Sequence, residues 1–202
     1  MNKENILIVV AGPSGVGKGT VCSKLFDKMD EIEFSVSATT REPRKKEKHG
    51  VNYFFVSHEK FDEMIKNGEF LEHADVFGNK YGTPKDYVMS KLGEGRDVLL
   101  EIDVQGAMMV MANYPDAVFI FILPPSLRAL EERLMSRGTE TSEQLRLRLN
   151  KAKEEMGYAE KFDYVVVNKD VHKAYEEIKS IIISEKCKVE RNKNFIVDLI
   201  KS

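Results

Sequence analysis

The sequence predicts an α/β fold with a central parallel sheet. Three observations lead there. Short, almost continuous apolar runs recur along the chain, at Ile6–Ala11, Val98–Ile102, Val118–Leu123 and Tyr164–Val167. Such runs suit strands buried on both faces of a parallel sheet. Segments of helical periodicity lie between them, so strands and helices alternate as in βαβ units. Finally, the chain has 202 residues, 42% hydrophobic and 32% charged. That is enough for one unit with its own core and a small inserted lobe.

In chain order, the first run is only six apolar residues, too short for a signal-peptide core or a bilayer span. The expected location is therefore cytoplasmic. Val21, Leu25 and Met29 then repeat at helical spacing, and Phe34–Thr39 is a weaker fifth strand candidate. From about Ser37 to Ser90 the pattern changes. Gly50, Gly68, Gly78 and Gly82 mark turns, Tyr53, Phe54, Phe55, Phe61, Phe70 and Phe77 cluster, and charges crowd into Arg41–Lys48. This stretch reads as an insert between core strands that carries a substrate. Beyond Val118–Leu123, Ser126 is placed to cap a helix with Leu127, Leu130 and Leu134 on one face. Thr141 and Gln144 suggest a capping box ahead of Leu145, Leu149, Ala152 and Met156. Ala174, Ile178, Ile181, Ile182 and Glu185 mark a last helix. The tail Lys186–Ser202 is basic, then apolar, and is expected to dock on the core or on a second subunit, as in a homodimer.

Composition excludes several classes. Lysine and arginine number 31 against 33 acidic residues, a net charge of −2, so no global basic excess points to nucleic acid. Cys22 and Cys187 lie far apart and read as reduced side chains. His49, His58, His73 and His172 are scattered, without the spacing of a zinc site.

The strongest local signal is Gly12-Pro13-Ser14-Gly15-Val16-Gly17-Lys18-Gly19-Thr20, between a buried strand and a helix. Glycines let backbone N–H groups curl around an anion, the helix N-terminus points at the same place, and Lys18 adds charge for β- and γ-phosphates. Gly12, Gly17 and Lys18 fit G-x-x-x-x-G-K-[ST], but Gly19 stands at the hydroxyl position and Thr20 follows it. Thr20 is the candidate magnesium ligand. An ATP-type phosphotransferase is the expectation. For the second substrate, Arg41 and Arg44 flank Pro43, which stiffens the turn, and two guanidinium forks suit one phosphate. Tyr53 and Tyr81 add phenol donors. The carboxylate of Glu72 suits paired N–H donors, which guanine presents and adenine does not, and the Thr83 hydroxyl suits guanine O6.

Four segments together resemble the guanylate kinase family: Ser35-Val36-Ser37-Ala38-Thr39-Thr40-Arg41-Glu42-Pro43-Arg44, Gly50-Val51-Asn52-Tyr53-Phe54-Phe55-Val56, Gly68-Glu69-Phe70-Leu71-Glu72 and Tyr81-Gly82-Thr83. The resemblance runs from the phosphate loop to Asn168. It implies a three-layer P-loop core (1–36, 91–126 and 160–202), a mixed α/β GMP-binding insert (37–90) and a helical lid (127–159). It also implies transfer from ATP to GMP or dGMP with Mg²⁺, and neither nucleic acid nor membrane as partner. Ser37, Arg41, Arg44, Tyr53 and Tyr81 would surround the GMP phosphate and ribose, and Glu72 and Thr83 would read guanine. Glu101, where the family often has aspartate, and Asp103 would face the nucleotide and magnesium. Arg137 and Arg148 would stabilise the moving phosphoryl group with Lys18 and Arg41, while Arg133 and Asn168 would serve the ATP side. The alternatives are a kinase for another small phosphorylated acceptor, which Glu72 and Thr83 disfavour, and a non-catalytic module binding phosphorylated proteins, which Lys18 disfavours.

Overall fold

The structure, a computed structural model, describes residues 5–76, 78–136 and 142–201. Its main sheet has five parallel strands: β1 (Leu7–Ala11), β2 (Ile32–Phe34), β7 (Asp97–Glu101), β8 (Val118–Leu123) and β9 (Tyr164–Val167), in the order β2-β7-β1-β8-β9. Its interior strands β1 and β8 are apolar throughout, and β7 is apolar between Asp97 and Glu101, because both faces are covered. Ile8 and Val10 of β1 join Ile120 and Ile122 of β8 on one face, against α1 (Lys18–Lys28) and α7 (Val171–Lys186). Leu7, Val9, Phe119 and Phe121 point the other way, against α3 (Lys85–Gly93) and α4 (Val104–Asn113). Each buried aliphatic side chain of this kind contributes about 1.5–3 kcal/mol. The four apolar runs thus form the expected strands to within a residue.

Phe34–Thr39 is not one strand. Phe34 pairs with Leu99 in the main sheet, whereas Ala38 and Thr39 (β3) pair with Phe54 and Phe55 (β4) and with Gly82 and Tyr81. The chain leaves the core through Ser35–Ser37 and enters a second sheet, ordered β4-β3-β6-β5, with β5 at Phe70–Val76 and β6 at Asn79–Pro84. Phe61 of α2 (His58–Lys66) is buried there and stacks on Phe70, with 4.5 Å between ring centroids. The insert stays in touch with the core where β5 packs against α4.

The Ser126 hydroxyl accepts from Ala129 N–H and caps α5 (Leu127–Met135), as expected. Leu130 and Leu134 of α5 bury against Ala152, Leu145 and Leu149 of α6 (Ser142–Met156). The Thr141 half of the proposed capping box lies outside the described residues.

The helix α7 is not the last one. A nine-residue helix, α8 (Lys193–Lys201), follows it and buries no residue, so the apolar end of the tail does not enter the core. Arg191 just ahead of it does anchor, donating to the Asp116 carbonyl at 3.0 Å and to Glu185 at 3.2 Å. Among the described residues no helix is long and apolar enough to cross a membrane.

Candidate active site

The carboxyl ends of β1, β7 and β9 open on one side of the main sheet, the usual ligand side of such sheets. From β1 the chain enters the glycine loop. Gly17 caps α1 with φ +94°, a left-handed conformation that a residue with a Cβ adopts only at a cost. That turn lets the loop double back over the start of α1. Lys18 Nζ lies across the loop and donates to the Gly12 carbonyl at 2.6 Å and the Pro13 carbonyl at 3.4 Å. Burial lowers the Lys18 pKa, and the nearby charges of Glu101, Glu155 and Asp103 work against that.

Glu101 ends β7 opposite this lysine. Its Oε1 lies 3.3 Å from where a Cβ on residue 19 would stand, which accounts for glycine at the position where the loop pattern has a hydroxyl. Burial raises the Glu101 pKa and Lys18 opposes the rise. Thr20 is exposed in the first turn of α1. Cys22, one turn further, is buried, and burial raises its thiol pKa far enough to leave it inert.

Helices α5 and α6 both grip the loop. Arg148 of α6 donates to the Ser14 hydroxyl at 2.9 Å, and Glu155 accepts from the Ser14 N–H at 3.4 Å. From α5, Arg133 donates to the carbonyls of Val16 (3.0 Å) and Asn168 (2.8 Å). The buried Asn168 amide donates to the same Val16 carbonyl at 2.8 Å. Arg133 and Asn168 thus hold the loop from behind. Arg137 lies outside the described residues.

In the insert, Arg41 Nη2 donates to both carboxylate oxygens of Glu47 at 2.9 Å, and the guanidinium lies 5.5 Å from the Tyr53 ring centroid. The Tyr53 and Tyr81 rings meet edge to face at 6.0 Å. Arg44 is exposed; its backbone N–H donates to Glu47 at 2.9 Å. Glu47 lies in the charged run Arg41–Lys48, in which only Arg41 and Arg44 are expected to meet a phosphate. Its i+6 spacing from Arg41 gives no periodic signal, so only the folded turn shows the pairing. Ser37 leads into β3 and its carbonyl accepts from Phe54 N–H at 2.9 Å.

Glu72 and Thr83 face each other across β5 and β6, with the Thr83 hydroxyl donating to Glu72 Oε1 at 2.6 Å. Both are buried. Burial pushes the Glu72 carboxyl up to about 7, with Thr83 opposing and Asp103 reinforcing the shift. Asp103 caps α4, its Oδ1 accepting from the Gly106 N–H at 2.7 Å. The structure therefore brings together a phosphate loop with a lysine, a carboxylate pair at the end of β7, an arginine–tyrosine cluster and a buried carboxylate–hydroxyl pair.

The family model described as guanylate kinase matches residues 4–185. The chain belongs to the guanylate kinase family. A guanylate kinase of Caldanaerobacter subterraneus subsp. tengcongensis is 50% identical over 199 residues, covering 98% of this chain and 97% of the relative. One of Clostridioides difficile is 52% identical over 199 residues, at 98% and 97% coverage. The crystal structure of guanylate kinase from Anaplasma phagocytophilum superposes with a TM-score of 0.74 at 37% identity, covering 95% of this chain and 91% of that one. The SH3-kinase fragment of tight junction protein 3, at 12% identity and a TM-score of 0.51, shares the fold alone.

Proposed function

We infer that this guanylate kinase family chain transfers the terminal phosphoryl group of ATP to GMP, and to dGMP, releasing ADP and GDP or dGDP. The observation that carries the acceptor is the buried Glu72–Thr83 pair, a double acceptor beside a hydroxyl. It matches guanine's ring N–H, exocyclic amine and O6. Adenine would set its lone pair against the carboxylate and leave buried groups unpaired, which costs more than a missing contact.

In this reading an oxygen of the GMP phosphate attacks the γ-phosphorus in line, and the bond to the β–γ bridging oxygen breaks, leaving on ADP. Such transfer depends on alignment and charge neutralisation. The loop N–H groups from Gly12 to Thr20 cradle the ATP phosphates, and Lys18 moves from the loop carbonyls onto the transferred group. Arg41 and Arg44, with Ser37, Tyr53 and Tyr81, hold the acceptor phosphate. Arg148 and Arg137 bring charge from the lid, and closure excludes water. Arg133 and Asn168 serve ATP by fixing the loop.

Magnesium, if bound with ATP, would supply positive charge to offset that of the phosphates, with Thr20, Glu101 and Asp103 as the residues that would hold it. The Thr20 hydroxyl and the carboxylates of Glu101 and Asp103 are hard oxygen donors at the right end of the sheet. Among the described residues no group of three or more acidic, histidine or cysteine side chains forms a cage. The set fits a metal that takes one or two protein oxygens and the rest from phosphate and water. The same reading assigns the chain to cytoplasmic purine nucleotide metabolism.

The test is an ADP-coupled assay across acceptors. GMP and dGMP should support turnover, and AMP, CMP and UMP should give little. Comparable rates with AMP would overturn the guanine assignment.

A further inference from the structure

Gly106 sits buried in the first turn of α4, at a position where alanine would favour the helix more. Its φ is not left-handed, so backbone freedom does not explain it. Space does. A Cβ built on Gly106 would stand 3.0 Å from Glu72 Oε2, and 3.4 Å from both Glu72 Cδ and Asp103 Oδ1. The nearest atom is the guanine-facing carboxylate, carried across from the insert. Glu72 cannot simply swing aside, because its other oxygen accepts from the Thr83 hydroxyl at 2.6 Å and the side chain is buried.

We infer that Gly106 is a positioning residue for acceptor specificity: its bare Cα is the wall against which the Glu72 carboxylate rests, and it sets the depth of that carboxylate in the guanine pocket. The inference rests on Glu72 reading guanine and adds the core helix as the element that fixes where it reads. The contact joins α4 of the core to β5 of the insert, so it also registers the two sheets at the point of recognition. A methyl group there would push Oε2 by a few tenths of an ångström and, through the rigid carboxylate, strain the bond between Oε1 and the Thr83 hydroxyl. On the magnesium side only Asp103 Oδ1 comes near, at 3.4 Å, an ordinary contact distance that requires no shift.

The experiment is a double-mutant cycle between Gly106→Ala and Glu72→Asp, with steady-state kinetics for GMP and ATP and thermal melts. Gly106→Ala should raise the GMP KM about tenfold, the scale of one weakened charge-assisted hydrogen bond. The kcat and the ATP KM should stay within about twofold. Aspartate at residue 72 retracts the carboxylate by one methylene. In that background, adding Gly106→Ala should cost less than about twofold further. An unchanged GMP KM in Gly106→Ala, or the same factor in both backgrounds, would overturn the inference. If Gly106→Ala does not fold, the double variant decides. Recovery of folding with the shorter side chain supports the contact, and failure of both overturns it. A wild-type enzyme that accepts AMP as readily as GMP would sink the underlying guanine reading before any variant is made. Guanine selectivity with a silent Gly106→Ala sinks this inference alone.

Discussion

Lowering the pH from 8 to 6 should weaken GMP binding through one side chain. The Glu72 carboxyl titrates at about 7, raised from 4.5 chiefly by burial. Only its ionised form accepts both guanine N–H donors. The apparent GMP KM should then scale as one plus the ratio of protonated to ionised Glu72, which is about 1.1 at pH 8 and about 11 at pH 6. The expected rise is about tenfold, or roughly 1.4 kcal/mol. The phosphate of GMP itself gains a proton near pH 6, so Glu72→Gln is the control, keeping the phosphate's titration and losing the side chain's. Initial rates at saturating ATP and magnesium, from pH 5.5 to 8.5, provide the measurement. A flat GMP KM between pH 6 and 8, or the same slope in Glu72→Gln, would refute the reasoning. Stability carries the opposite sign. A carboxyl whose folded pKa is raised favours the fold when protonated, so this contribution is full below about 4.5, shrinks as pH rises, and is gone above about 7. Saturating GMP should flatten that decline, which pH-dependent melts with and without GMP would show.

Two further substitutions test the phosphate sites. Glu47→Gln removes the carboxylate that holds Arg41 at 2.9 Å. It should lower the GMP KM up to about fivefold, the scale of a partly exposed ion pair at the surface, and a rise would mean that Glu47 orients Arg41 rather than competing with the phosphate. Asn168→Ala removes one of two donors to the Val16 carbonyl. Loss of about 1–2 kcal/mol is expected, seen as a melting point a few degrees lower, with a raised ATP KM and an unmoved GMP KM; parallel changes in both would contradict a role confined to the loop.

How much of this was legible in the sequence depends on whether the signal is local. The β1 and β8 runs announce themselves because both faces of each strand are buried, so every residue must be apolar. The phosphate loop is equally legible because its conformation needs glycines at fixed spacing. Phe34–Thr39 misleads because an apolar run carries no mark of which sheet it joins. The switch at Ser35–Ser37 is a tertiary fact, set by pairing of Phe34 with Leu99 and of Ala38 with Gly82. Glu72 and Thr83 could be named from the chemistry of guanine, and strand register then places them opposite one another. Gly106 could not, since a glycine in a helix shows no sign of what approaches it from 34 positions away. Asn168, which the resemblance places on the ATP side, has its Nδ2 on the Val16 carbonyl, 152 residues away in sequence, a contact that no local pattern announces.

Four of the groups proposed to hold substrates share one property: each has an intramolecular partner. Lys18 is on the Gly12 carbonyl, Arg41 on Glu47, Arg148 on Ser14, and Glu72 under Thr83. A substrate must replace these contacts rather than meet unsolvated charges, so it gains only the difference between its own bonds and those it displaces. That lowers net affinity for any ligand, but not equally. A ligand that replaces only some partners leaves the others in place and gains little from closure. On the proposed roles, ATP alone would release Lys18 and Arg148, and GMP alone would release Arg41 and Glu72. Only the pair of substrates would exchange all four, and Arg148 stands on α6 while Glu72 and Arg41 stand on the insert. In the proposed reaction the bonds that the substrates would displace sit on different elements, α6 and the second sheet, which would favour closure, and so transfer to GMP rather than to water, when both are bound.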